Sequence, residues 1–343
     1  MKICILHRYP EQDIKQTNAA FPYFVEIMRK NHFVDIKTFK KFDRTRRKWF
    51  KSLWWIFYAP LLVIGKHYDL IYCDDSFPFY PLLVKLASPK SSVYVRLGDL
   101  HLMYYCSGWS YKILHAIEKF VWRKVDLLIP ITNIMRDFIC SEGKFLDKTL
   151  VVKDPIDLQD FPYMPDRIKD YDVCFHGTLN KNKGIDLIIK TARKLPGVSF
   201  VIFGDCNGRL KIESRSPKNV HFVGWKDYPK IADYLSAAKV GIAMRSDNPG
   251  NDYVITQAFL QYAAVGTFVL VSDRKTFKNY PYAFDVKNSQ LLSFLIRDSL
   301  ENFNDYKKYI IEKNRKIVEE EHDARTIAAE LVSICCLSGA RLS

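Results

Sequence analysis

The residues most able to do chemistry fall in the segment Phe175-His-Gly-Thr-Leu-Asn-Lys-Asn-Lys183-Gly184-Ile-Asp186. An apolar run ends there, a glycine-bearing loop follows, and a lysine and a glycine open a helical pattern. Free N–H groups at a helix N-terminus, with a lysine beside them, suit an anionic diphosphate. The plainer alternative is a strand–loop–helix turn with a solvated lysine. A second segment, Arg245-Ser-Asp-Asn-Pro-Gly250-Asn251-Asp252-Tyr253, again carries a polar loop from a buried strand into a helix. Its Asn-Pro-Gly-Asn run offers backbone amides to phosphate. Gln261, late in that helix, carries an amide suited to ribose hydroxyls, or is simply a half-buried glutamine.

These loops need a scaffold, and the surrounding pattern supplies one. Apolar runs of four to six residues alternate with helical periodicity from Ile3 to Val152 and again from Tyr171 to Ser272. Such alternation predicts parallel sheets covered on both faces. Ile185, Ile188, Ile189 and Ala192 share one face of a helix over Gly184–Leu195. Thr149–Val152 reads as a strand, and Asp305 to about Cys336 as one long helical tail. The stretch Asp154–Asp172, with Pro155, Pro162 and Pro165, reads as a linker. The expected division is 1–160, 161–320 and a C-terminal helix, 321–343, packing back on the first domain. Ligands of open parallel sheets bind beyond the carboxyl ends of the strands, so two such sheets facing a central cleft would place the chemistry there.

Bulk properties narrow the classes. The chain has 343 residues, more than one hydrophobic core usually serves. Its 48% apolar content is that of a globular protein, and its net charge of +14 implies acidic partners. No nucleic-acid recognition motif accompanies that charge. Eight cysteines without C-x-x-C spacing argue against zinc or a redox motif and fit a reducing, cytoplasmic setting. The N-terminus MKICILHRYP reads as a buried strand rather than a signal peptide, and no apolar run is long enough to span a bilayer. The most unusual stretch is 44–64, where Arg44-Thr-Arg-Arg-Lys48 runs into an apolar, aromatic segment that includes Trp49, Trp54 and Trp55 and is broken by Pro60. It reads either as a core helix with a solvated basic start or as a segment lying on an anionic membrane surface.

Taken in order, Gly177-x-Leu-x-x-x-Lys183-Gly-x-Asp, Val201-Ile-Phe-Gly204-Asp, Asn219-Val-His-Phe-Val-Gly224 and Gln261-Tyr-Ala-Ala-Val-Gly266-Thr resemble the retaining GT-B glycosyltransferases grouped as family 4. Asp126-Leu-Leu-Ile-Pro, Val151-Val-Lys-Asp-Pro and Phe161 resemble that family's interdomain crossover, so the likeness spans most of the chain. It implies an α/β fold of two Rossmann-like domains, the second binding a nucleotide-diphosphate sugar and the first a glycan or lipid-linked acceptor. It also implies transfer without an obligatory metal or other cofactor.

By that resemblance Lys183 holds the donor diphosphate, and Gly177, Thr178, Asn251, Asp252, Tyr253 and Gln261 line the donor. Two departures stand out. Thr178 occupies the place of the family's arginine, and Tyr253 and Gln261 stand where the family has two glutamates separated by seven residues. Asp252 is the neighbouring carboxylate able to serve for Tyr253. In the first half, Asp99 aligns with an acid that faces the transferred sugar, with His101 offset from its usual partner. His7-Arg8-Tyr9-Pro10 replaces the family's Gly-Gly loop, which implies an unusual acceptor. Rival readings are a nucleotide-sugar epimerase on the same fold and a binding protein whose site has decayed.

Overall fold

The computed structural model describes all residues except 16–17, 39–47, 75–76, 165, 181–182, 205–208, 225, 227 and 340–343. The basic cluster 44–47 therefore lies outside the described residues. The chain forms two compact units, Met1–Pro155 with Ala324–Ser343, and Ile156–Asp323. The boundaries thus fall at 155/156 and 323/324, where the sequence suggested 160/161 and 320/321.

The first unit runs β1 (Lys2–His7), α1 (Glu11–Ile14), α2 (Phe21–Asn31), β2 (Phe33–Thr38), α3 (Lys48–Leu61), β3 (Leu70–Cys73) and α4 (Tyr80–Ala87). It continues with β4 (Ser92–Leu97), α5 (His101–Tyr105), α6 (Gly108–Lys124), β5 (Leu127–Pro130) and α7 (Asn133–Ser141). All its strands are parallel, in the order β2-β1-β3-β4-β5. Ile3, Ile5, Leu70 and Tyr72 pack on Phe24 and Val25 of α2 and on Ile327, Ala328 and Leu331 of the C-terminal helix. On the other face α3 packs against α4, and α4 against α6.

The second unit runs β6 (Tyr171–His176), α8 (Ile185–Lys194), β7 (Phe200–Phe203), α9 (Arg209–Glu213), β8 (Val220–Gly224), α10 (Tyr228–Ser236) and β9 (Ala238–Ala243). Then come α11 (Gln257–Val265), β10 (Phe268–Ser272), β11 (Ala283–Phe284), α12 (Ser289–Glu301), α13 (Phe303–Tyr306) and α14 (Glu312–Glu321). Its parallel sheet has the order β11-β10-β9-β6-β7-β8. Strand alternation separates two cores. Val173 and Phe175 meet Ile185, Ile188 and Ile189 of α8, while Cys174 faces Leu260, Ala263 and Ala264 of α11.

Two expectations fail. Residues 149–152 are no strand: Leu150 and Val152 donate to Leu128 and Pro130, but only Thr149 bridges β5. Pro155 then follows, and Asp154 is drawn to Arg96, so no ladder grows. The tail is not one helix either. A π-helical turn, Lys307–Ile311, precedes α14, and α14 ends before α15 (Ala324–Gly339) begins. Between them the buried His322 accepts from the Ile156 N–H at 2.8 Å, and Asp323 bridges Ile156. That pairing takes the backbone out of helical register where the chain returns to the first unit.

Candidate functional site

In the second unit the ends of β6, β7 and β8 carry Gly177, Gly204 and Gly224, all with positive φ. The Gly177 N–H donates to the Phe203 carbonyl at 3.1 Å, and the Gly204 N–H to the Gly224 carbonyl at 3.0 Å. A Cβ on Gly204 would lie 1.8 Å from the Gly177 carbonyl oxygen. Glycine is therefore required for these strand ends to approach so closely.

From Gly177 the chain makes a short loop into α8. The exposed Thr178 accepts through its carbonyl from Asn180, and the Lys183 N–H donates to the Asn180 carbonyl (3.1 Å) and Oδ1 (2.9 Å). Gly184, at φ 68°, is the N-cap of α8, and no side chain caps that helix. A Cβ on Gly184 would meet Met244 Cε at 1.2 Å. The α8 N-terminus is thereby seated on the end of β9, next to β6, with the half-buried Lys183 at its mouth. An uncapped first turn, a lysine and glycine-walled strand ends are together suited in charge and shape to an anion.

His176 closes β6 beside this loop. Its ring stacks on Phe203 (centroids 5.2 Å apart, 13° between planes) and meets Tyr262 edge-on. Tyr262 is fixed in turn by donating to the Cys174 carbonyl at 2.9 Å. Burial first, and then the charge of Lys183, push the His176 imidazole down to about 3. Its buried Nε2 has no hydrogen-bond partner among the described residues. Sequence reading placed His176 at the strand end but gave it no role.

The loop after β9 is tied by its own polar groups. Gly250 and Asn251 donate their N–H groups to Asn248, at 2.9 Å each. This corrects the expectation that Asn-Pro-Gly-Asn leaves these amides for phosphate: the Asn248 side chain and carbonyl consume them. The buried Asn251 Nδ2 donates to the Ser246 carbonyl at 2.9 Å. Asp252 lies 3.8 Å from Arg274 and 3.7 Å from Lys275, whose ammonium also stands over the Tyr253 ring. The Asp252 carboxylate thus has cationic neighbours of its own. Gln261 is buried in α11, and its Oε1 has no partner among the described residues. Arg245, just past the end of β9, was not singled out by sequence. Its backbone N–H donates to Ser272 Oγ at 3.1 Å, and its Nε is buried with no partner among the described residues. The signal available was position: it is a cation directly after a central parallel strand.

The first unit gathers its own polar groups at its strand ends. Asn18 donates to both oxygens of Asp74 (2.9 and 3.1 Å). The buried Arg96 pairs with Asp154 and stands 4.0 Å from Asp74. Burial opposes its charge, but Asp154 and then Asp74 outweigh that and raise the guanidinium above its ordinary value. Asp99 follows β4 and accepts a long 3.4 Å bond from the Tyr104 hydroxyl. The His101 ring meets Phe77 edge-on at 5.8 Å, and Arg8 lies over the same Phe77 at 5.0 Å. Asp99, His101 and Arg8 thus belong to the first unit, and Gly177, Thr178, Lys183, Asn251, Asp252, Tyr253 and Gln261 to the second. His221 is exposed on β8.

Residues 165–317, most of the second unit, match the family model described as Glycosyl transferases group 1. No curated protein matches the sequence. Among solved structures, a sucrose-phosphate synthase from Thermosynechococcus elongatus superposes with a TM-score of 0.78 at 15% identity, covering 99% of this chain and 100% of that one. Anabaena HepE in complex with UDP-glucose gives 0.70 at 16% identity, covering 98% and 100%. The lipopolysaccharide outer core galactosyltransferase WaaB gives 0.64 at 12% identity, covering 98% and 99%. Two parallel Rossmann-like sheets and these superpositions over nearly the whole chain give this protein the GT-B fold, and residues 165–317, most of its second unit, match the glycosyl transferases group 1 model.

Proposed function

We propose that the chain transfers a sugar from a nucleoside-diphosphate donor, of the uridine type, to a glycan or lipid-linked acceptor, with retention at the anomeric carbon. The observation that carries this reading is the uncapped N-terminus of α8, seated beside Gly177 and Gly204 with Lys183 at its mouth. HepE and the pneumococcal O-GlcNAc transferase GtfA, named with UDP or UDP-glucose, support the donor class.

In this reading Lys183 and the α8 amides take the diphosphate, and Arg245 supplies the second cation that Thr178 cannot. Gln261 offers its buried amide to the ribose, at the strand ends where Gly177 and Thr178 leave the donor room. Asn251 shapes the loop, while Asp252 and Tyr253 stand nearest the transferred sugar. Asp99 and His101 are assigned to hydroxyls of the sugar or acceptor. The acceptor oxygen bonds to the anomeric carbon on the face from which the diphosphate departs, and a phosphate oxygen takes the hydroxyl proton. The protein's part is to position both substrates and neutralise the charge growing on the leaving group. Cations do this without an obligatory metal, so activity should survive a chelator.

The Arg274 and Lys275 contacts of Asp252 favour one rival, a donor-binding protein whose transfer site has decayed. Thermal shift with nucleoside diphosphates and their sugars, followed by product analysis, separates the two. Stabilisation by UDP-sugars with acceptor-dependent UDP release supports transfer. Stabilisation without turnover on any acceptor supports the rival, and no stabilisation overturns both.

A further inference from the structure

The first unit carries an apolar surface that its core does not use. On α6 the side chains of Trp109, Ile113, Ile117 and Phe120 follow one helical face, and all are exposed, at 76%, 53%, 43% and 45%. The opposite face, His115, Glu118, Val121 and Trp122, is buried. On α3, Trp54, Phe57 and Leu61 form a second exposed stripe, extended by Ile64 just past the helix. Between them α4, which packs on both helices, exposes Leu86. Single exposed apolar residues need no explanation, but two exposed stripes on the helices that flank α4, with Leu86 of α4 exposed between them, form a patch that marks an interaction surface.

The charges beside the patch say what covers it. Lys112, Arg123 and Lys124 are exposed on α6, and the Lys124 ammonium stands over the Phe120 ring at 5.4 Å. The only acid of α6, Glu118, is buried against His115 at 2.9 Å. Lys66 and His67 are exposed just after Ile64. A second copy of the chain would bring like charges together, in a chain of net charge +14. An anionic bilayer surface accepts cations and tryptophans together at the headgroup level, with aliphatic side chains below. No helix among the described residues is long and apolar enough to cross a membrane.

We propose that the α3–α4–α6 face of the first unit docks flat on an anionic lipid surface, with α6 as a contact equal to α3. This does not rest on the donor reading. Docking is measured by flotation, without turnover, so its failure leaves donor binding standing.

The test uses the full chain with phosphatidylcholine vesicles, with and without phosphatidylglycerol. The chain should float with the anionic vesicles, remain below with the neutral ones, and be released by salt. Ile113→Ser/Ile117→Ser/Phe120→Ser and Lys112→Glu/Arg123→Glu/Lys124→Glu should each weaken partition about tenfold or more, with thermal unfolding unchanged because all six positions are exposed. Absence of wild-type flotation on anionic vesicles overturns the proposal. So does undiminished binding of both variants, or self-association in sedimentation that the apolar variant abolishes, which would assign the face to a second copy.

Discussion

At the residue scale the account turns on a few cations and one histidine. Lys183→Ala removes the charge at the mouth of α8. It is expected to lower kcat/KM by about 2–4 kcal/mol of transition-state stabilisation, the cost of one electrostatic donor, read from initial rates with saturating acceptor. Arg245→Ala should act in the same direction, because its guanidinium is assigned to the same leaving group. His176 gives a separate signature. Its folded-state value of about 3 lies below the ordinary 6.5, so the unfolded chain binds the proton first as pH falls. The stability tied to its neutral form is complete above pH 6.5 and lost progressively as pH falls from there towards 3. The slope approaches about 1.4 kcal/mol per pH unit at most. Denaturant unfolding of wild type and His176→Phe at pH 7 and pH 5 should show that slope shrinking in the variant. Equal slopes would mean that the histidine is solvated.

At the scale of elements, the strand-end glycines are the parts least tolerant of change. Gly204→Ala would force a Cβ to 1.8 Å from the Gly177 carbonyl oxygen at a φ of 141°. A loss of about 1–3 kcal/mol in the second unit is expected from a thermal melt, with weaker donor binding as the β6 and β7 ends part. Much of this architecture was legible in sequence because it rests on local periodicity. The apolar face of α8 and the strand runs around His176 and Met244 could be read residue by residue. What was not legible depends on distant partners. Residues 149–152 look like a strand but bridge β5 only at Thr149, and the helical tail breaks at His322 because Ile156 pairs there. The tail carries no local breaker at His322, and the Pro155 that follows 149–152 does not by itself rule out a strand before it. At the site, Lys183 and Gly177 announce themselves by spacing. The capture of the Gly250 and Asn251 amides by Asn248, and the Arg274 and Lys275 contacts of Asp252, needed coordinates. The α6 stripe was hidden for a related reason. Its apolar face, Trp109, Ile113, Ile117 and Phe120, reads in sequence as the one to bury, and only packing shows that the face carrying His115 and Glu118 lies inside.

Over the whole molecule, the C-terminal helix belongs structurally to the first unit although the chain reaches it through the second. Ile327, Ala328 and Leu331 are buried against the same core as Ile3, Ile5 and Phe24. Leu331→Ala should therefore cost about 2–5 kcal/mol in the stability of the first unit, while UDP binding by the second is retained. A limited-proteolysis comparison would show which unit loosens. The catalytic account concentrates on the carboxyl edge of the second sheet. Its sharpest test is calorimetric titration of UDP and of uridine into wild type and Lys183→Ala. If the account holds, wild type binds UDP far more tightly than uridine, and the substitution erases most of that preference while leaving the uridine signal alone. Equal UDP affinity in the two proteins, or equal affinity of wild type for UDP and uridine, would contradict it.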